Sequence, residues 1–125
     1  MIAFCTHCWT EIDARDTSCF HCGTNLNADR RSYEEKLVCA LEHPLPAARA
    51  RVCWLIGENK VRMAVPHLMR MVTDDPDLYV QRAALEALGA LRDRRAFPLL
   101  IEIGESKNRF LASAARKSLK SANVG

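Results

Sequence analysis

The sequence predicts a mainly α protein, a short α-solenoid of helical hairpins that carries a small metal-stapled unit at its N-terminus. Three observations point there. Cys5-Thr-His-Cys8 and Cys19-Phe-His-Cys22 set two Cys-x-x-Cys pairs within 18 residues. Residues 33–121 repeat themselves at an offset of 32. After residue 30 the apolar positions recur at helical spacing, with no alternating strand pattern.

The N-terminal unit comes first. Each Cys-x-x-Cys pair grips a metal through a tight turn, and the ten residues between the pairs let the second close the shell. Cys5, Cys8, Cys19 and Cys22 are therefore the expected ligands of one structural Zn²⁺. Four thiolates fill a tetrahedral shell and leave no position for a catalytic water. His7 and His21, inside the knuckles, read as exposed bystanders. Residues 1–27 have little else to fold with, so metal binding supplies most of their folding free energy, roughly 10–16 kcal/mol in comparable finger peptides. No basic segment followed by an apolar one opens the sequence, and no apolar run approaches membrane length. The expectation is a reducing, cytoplasmic setting in which paired cysteines hold metal rather than disulfides.

A polar junction follows at 28–32, with Asp29 or Ser32 as the helix N-cap. The repeats occupy 33–125. At the offset of 32, Leu41-Glu-His-Pro44 lies over Thr73-Asp-Asp-Pro76, Gly57 over Gly89, Ala64 over Ala96 and Pro66 over Pro98. Leu68 then pairs with Leu100 and Met71 with Ile103. Each unit reads as two helices. The first runs over Ala47–Gly57 and again over Leu78–Leu91, with Gly57 and Gly89 expected to end or loosen it. The second starts near Ala64 or Ala96, where a first-turn proline lacks only an N–H that has no helical partner. Tyr33–Leu41 is a lone second helix. Asn108–Ser121 is a lone first helix, since Phe110-Leu-Ala-Ser-Ala-Ala115 repeats Tyr79-Val-Gln-Arg-Ala-Ala84 at an offset of 31. One hairpin cannot bury both its apolar stripes, so neighbouring units cover each other. Cys39 and Cys53 fall on apolar positions and read as small buried hydrophobes.

The residues Asp74-Asp-Pro-Asp-Leu-Tyr-Val-Gln-Arg-Ala-Ala-Leu-Glu-Ala-Leu-Gly89, followed by Arg94-Arg-Ala-Phe-Pro-Leu-Leu100, resemble the short HEAT-like repeats of the phycobilisome-lyase type. That family commonly has an arginine in the first helix that pairs with the Asp before Pro; Arg49 fills the position in one unit and Gln81 in the other. The N-terminal unit resembles a zinc ribbon, keeping Gly23 after its second knuckle but carrying Trp9 where the first often has Gly. The resemblance implies a protein-binding solenoid, with a few relatives attaching bilins to phycobiliproteins.

No nucleophile–base pair, phosphate loop or paired carboxylate joins His43, His67 or the Asp74–Asp77 cluster. The expected function is accordingly a non-enzymatic adaptor that binds another protein. The runner-up is a nucleic-acid-associated module. It rests on Lys60, Arg62, Arg92, Arg94 and Arg95, which the offset lines up as a basic ridge along adjacent inter-helix turns. The net charge of +3 permits an anionic partner without requiring one. Trp54 aligns with Glu86, an outward polar position. A large aromatic there predicts a cover, either the zinc ribbon docked on it, the first expectation, or an external partner. Trp54 and the five basic residues are the candidate partner-binding set.

Overall fold

A computed structural model describes residues 1–122; the last three residues of the predicted repeat region lie outside it. The chain begins with a two-stranded antiparallel sheet, β1 (Ile2–Phe4) and β2 (Glu11–Asp13), in which Ala3 pairs with Ile12. The first Cys-x-x-Cys turn joins the strands. The second lies between Ser18 and Asn25, which form an isolated antiparallel bridge. A 3-10 turn at Leu26–Ala28 ends the unit, and its few buried residues are Ala3, Cys5, Ile12 and Cys19.

Among the described residues six helices follow: α1 (Tyr33–Ala40), α2 (Pro46–Glu58), α3 (Val65–Asp74), α4 (Leu78–Leu91), α5 (Phe97–Gly104) and α6 (Arg109–Ser121). Their starts obey local rules. Ser32 caps α1 in a reciprocal capping box with Glu35. Asp77 and Asn108 cap α4 and α6 through side-chain oxygens. α3 and α5 each follow a one-turn 3-10 segment and carry Pro66 and Pro98 in the first turn, as the repeat predicts.

α2, α4 and α6 pack side by side in one layer, while α1, α3 and α5 back them as the second. The shared core is aliphatic, with Ile56, Leu68, Leu85, Leu88, Leu91 and Leu100 fully buried. The glycines correct an expectation. Gly57 and Gly89 lie inside α2 and α4 rather than ending them. A Cβ on Gly89 would sit 2.7 Å from Ser118 Cβ, and one on Gly57 would sit 3.3 Å from Ala90 Cβ. Their missing side chains let the first helices approach closely. Lys60 and Arg92, with φ of 53° and 52°, supply the left-handed residues that follow α2 and α4.

One ion pair ties the units together. Arg49 on α2 donates Nε and Nη2 to both oxygens of Asp75, at 2.9 and 3.2 Å. Its Nη1 also donates to the carbonyl of His43 at 3.0 Å. Gln81 repeats that last contact one unit on, donating to the carbonyl of Asp75 at 2.9 Å. The Asp that Arg49 reaches thus belongs to the next unit, and Gln81 keeps the turn contact without the charge.

Candidate functional site

The two cysteine knuckles are built alike. In each, a backbone N–H closes the turn onto the first cysteine's carbonyl, from Trp9 to Cys5 at 3.0 Å and from Gly23 to Cys19 at 2.8 Å. The closing residue is left-handed in both, with φ of 65° at Trp9 and 79° at Gly23. A threonine follows: Thr10 Oγ1 lies 3.1 Å from Cys8 Sγ, and Thr24 Oγ1 lies 2.9 Å from Cys22 Sγ. The knuckles face each other, with Cys5 and Cys22 sulfurs 3.6 Å apart, Cys8 and Cys19 sulfurs 3.7 Å apart, and all four within 4.8 Å.

That geometry fits a single metal ion, since four sulfurs tetrahedrally placed about 2.3 Å from one zinc lie about 3.8 Å from each other. The electrostatics agree. The Thr10 hydroxyl and backbone pull the Cys8 thiol down to about 5, and Thr24 lowers Cys22 in the same way. Burial pushes the Cys5 thiol up, and a bound cation would favour its ionised form. His7 and His21 are exposed. The four thiols therefore lie close enough to hold a metal ion.

The knuckle unit does not cover Trp54. It docks instead on α1 and the turn after it. Tyr33 donates its hydroxyl to the carbonyl of Ile2 at 2.8 Å. His43 is buried, with Nε2 donating to the carbonyl of Trp9 at 3.0 Å and Nδ1 accepting from the N–H of Leu45 at 3.1 Å. The His43 ring also meets the rings of Phe4 and Trp9 edge-on, each 5.2 Å away. Arg51 pairs with Glu11 at 2.7 Å on the rim. Sequence reasoning set His43 aside as an isolated turn residue; a buried docking role depends on a neighbour more than 30 residues away and leaves no local mark. Trp54 stays 61% exposed, contrary to the first expectation; the knuckle unit's ion pair with α2 is at Arg51, one turn away.

The ridge cations meet the repeats themselves. Lys60 Nζ donates to the carbonyl of Ala90 at 2.7 Å, and Arg62 donates to that of Leu91 at 2.9 Å. Both cap the C-terminus of α4, where carbonyls lack helical partners and cations are favoured. Arg95 forms a double contact with Asp93, at 3.0 and 2.9 Å, and holds its carboxyl down to about 2. Among the described residues only Arg92 and Arg94 of the ridge make no ion pair or side-chain hydrogen bond. Of the five aligned cations, Lys60 and Arg62 thus cap the neighbouring unit's helix, and Arg95 is paired within its own turn.

One further reading changes and a second holds. Cys39 is exposed, with Arg31 Nη1 donating to its sulfur, whereas a buried place was expected. Cys53 is buried as expected, and desolvation together with nearby Asp75 pushes its thiol up to about 12, so it is unreactive. Among the described residues no helix is long and apolar enough to cross a membrane.

The chain has relatives. A protein described as "Uncharacterized phycocyanin operon protein Z", from Pseudanabaena tenuis (strain PCC 7409), is 33% identical over 79 residues, which are 63% of this chain and 39% of that protein. Among solved structures, a chain from the complex of CpcE and CpcF of phycocyanin lyase from Nostoc sp. PCC7120 superposes with a TM-score of 0.66 and 25% identity. The match covers 79% of this chain and 40% of that one. The chain thus spans about two fifths of the length of each.

The expectation of a non-enzymatic protein is overturned here, because the solved structure it resembles is part of a lyase. The missing nucleophile–base constellation describes these 125 residues alone. Residues 34–120 match the family described as HEAT repeats, and with the two-layer stack of paired helices seen over the same span, the chain belongs to that family.

Proposed function

We propose that this chain is a zinc-stapled HEAT-repeat module that binds a partner protein within a lyase-type assembly for chromophore attachment. The observation that carries the reading is the likeness to a chain that itself sits in a two-protein lyase complex. The relative from a phycocyanin operon supports it. In this reading residues 1–27 are the zinc ribbon, 28–32 the junction and 33–125 the repeats. Cys5, Cys8, Cys19 and Cys22 hold one Zn²⁺, whose role is structural because no position is left for water or substrate. The metal supplies folding energy to a unit with a very small core, and the repeats supply the surface that meets the partner.

The reading is tested by tagging the chain at native expression and identifying its stoichiometric partner by mass spectrometry. The recovered complex is then incubated with phycocyanin apoprotein and a free bilin, and covalent attachment is read from the absorbance of the denatured product. A defined complex that raises the attachment rate is the expected result. Recovery of the bare chain, with no effect on attachment, would sink the proposal.

A further inference from the structure

Between α2 and α4 runs a slot of about 190 Å³. Its floor is small and apolar, made by Gly57, Ala83, Ala87 and Ala90. Trp54 forms one wall, and Glu58 and Glu86 supply carboxylates at the rim. The indole is 61% exposed where the next unit presents Glu86 at the equivalent position and α6 presents Lys117. The aromatic is therefore an addition to the repeat rather than a product of it. Glu58 is exposed and makes no ion pair among the described residues, and Glu86 meets Arg82 through one oxygen at 3.2 Å.

The lining selects its occupant by chemistry. An anionic group is repelled by the two carboxylates. A wholly apolar side chain would strip them of water without giving back a hydrogen bond. A long cationic side chain satisfies all three surfaces: its methylenes lie on the alanine floor, its charged head stacks on the indole, and its N–H groups meet the carboxylates. Arginine fits better than lysine, since a planar guanidinium both stacks and forks onto carboxylate oxygens. We propose that the Trp54 slot receives an arginine side chain presented by a partner protein, anchoring the partner to the α2–α4 face. The inference rests on the partner-binding reading above and names the chemistry of the contact.

The test uses the full chain, ¹⁵N-labelled, titrated with butylguanidinium and followed by amide and indole NMR shifts. Saturable millimolar binding should move the Trp54 indole N–H and the amides of Gly57, Ala83 and Ala87. W54L should abolish the response, and the double variant E58Q/E86Q should weaken it about fivefold, the size of modest exposed charge contacts. Both variants lie on the surface, and unchanged far-UV circular dichroism confirms that they fold. Equal binding of neutral butylurea would overturn the proposal by making the slot merely apolar, as would shifts centred elsewhere or none that saturate. In the native complex, W54L should weaken partner binding at least tenfold. An intact complex with W54L overturns the slot and leaves partner binding standing. No complex with the wild-type chain overturns partner binding, and the butylguanidinium titration still decides the slot.

Discussion

At Lys60 and Arg92 the chain turns out of α2 and α4 through the left-handed region, which an ordinary side chain enters at a cost of about 1 kcal/mol. The two residues differ in what they get back. Lys60 returns a hydrogen bond to Ala90, whereas the Arg92 side chain has no partner among the described residues. Arg92→Gly should therefore stabilise the fold by about 0.5–1 kcal/mol, and Lys60→Gly should change it by less than about 0.5 kcal/mol, as read from urea midpoints. A destabilised R92G would show that the arginine makes a contact worth more than its backbone strain. The Arg49–Asp75 pair is a heavier commitment, with side chains only 13% and 6% exposed. Asp75→Ala would strand a buried guanidinium and remove an acceptor of the Asp77 N–H, so about 3–5 kcal/mol of stability should go. A loss below 1 kcal/mol would mean that water screens the pair after all.

Among the elements, α6 is held by an unusually close approach to α4. Ser118 donates its hydroxyl to the carbonyl of Leu85 at 2.8 Å, and Gly89 leaves room for the contact. Gly89→Ala would gain up to about 1 kcal/mol of helix propensity but drive a methyl into the Ser118 backbone and side chain. The net should be a loss of about 1–3 kcal/mol, with hydrogen-exchange protection falling first in α6. Gly57→Ala meets only the Ala90 methyl at 3.3 Å and should come out close to neutral. Equal effects at the two sites would refute this account. These glycines mark where sequence reasoning stopped. A helical glycine can signal a left-handed turn or a missing Cβ, and only the partner helix some 30 residues away decides between them. Prolines 66 and 98, the N-cap of α1 (narrowed to Asp29 or Ser32, and found at Ser32) and the four paired cysteines were legible because their consequences are local. The exposure of Trp54 and the burial of His43 were not, because both depend on where a separate small unit docks.

For the molecule as a whole, that docking sets how the two parts depend on each other. The repeats bury a continuous aliphatic core that owes nothing to the knuckles except packing by Ile2 and Phe4 at its edge. The knuckle unit buries Ala3, Ile12 and two cysteines, far too little to offset the entropy of ordering 27 residues without a metal or another staple. Chelation, or Cys19→Ser, should therefore separate the two parts. Metal content should fall from one ion per chain to none, and the amides of Ala3 and Ile12 should lose protection. In a Trp54→Phe background, which leaves Trp9 as the reporter, emission should shift to the red as Trp9 leaves His43. Helical circular dichroism from 33–121 should mostly survive, with a lower unfolding midpoint because Tyr33 and His43 lose Ile2 and Trp9 as partners. Protection of Ala3 and Ile12 that persists without metal would show that docking alone folds the unit. Collapse of all helicity would show that the knuckles nucleate the stack rather than cap it. The expected split, an unfolded N-terminus on a folded array, is what a metal confined to a four-thiol cap predicts.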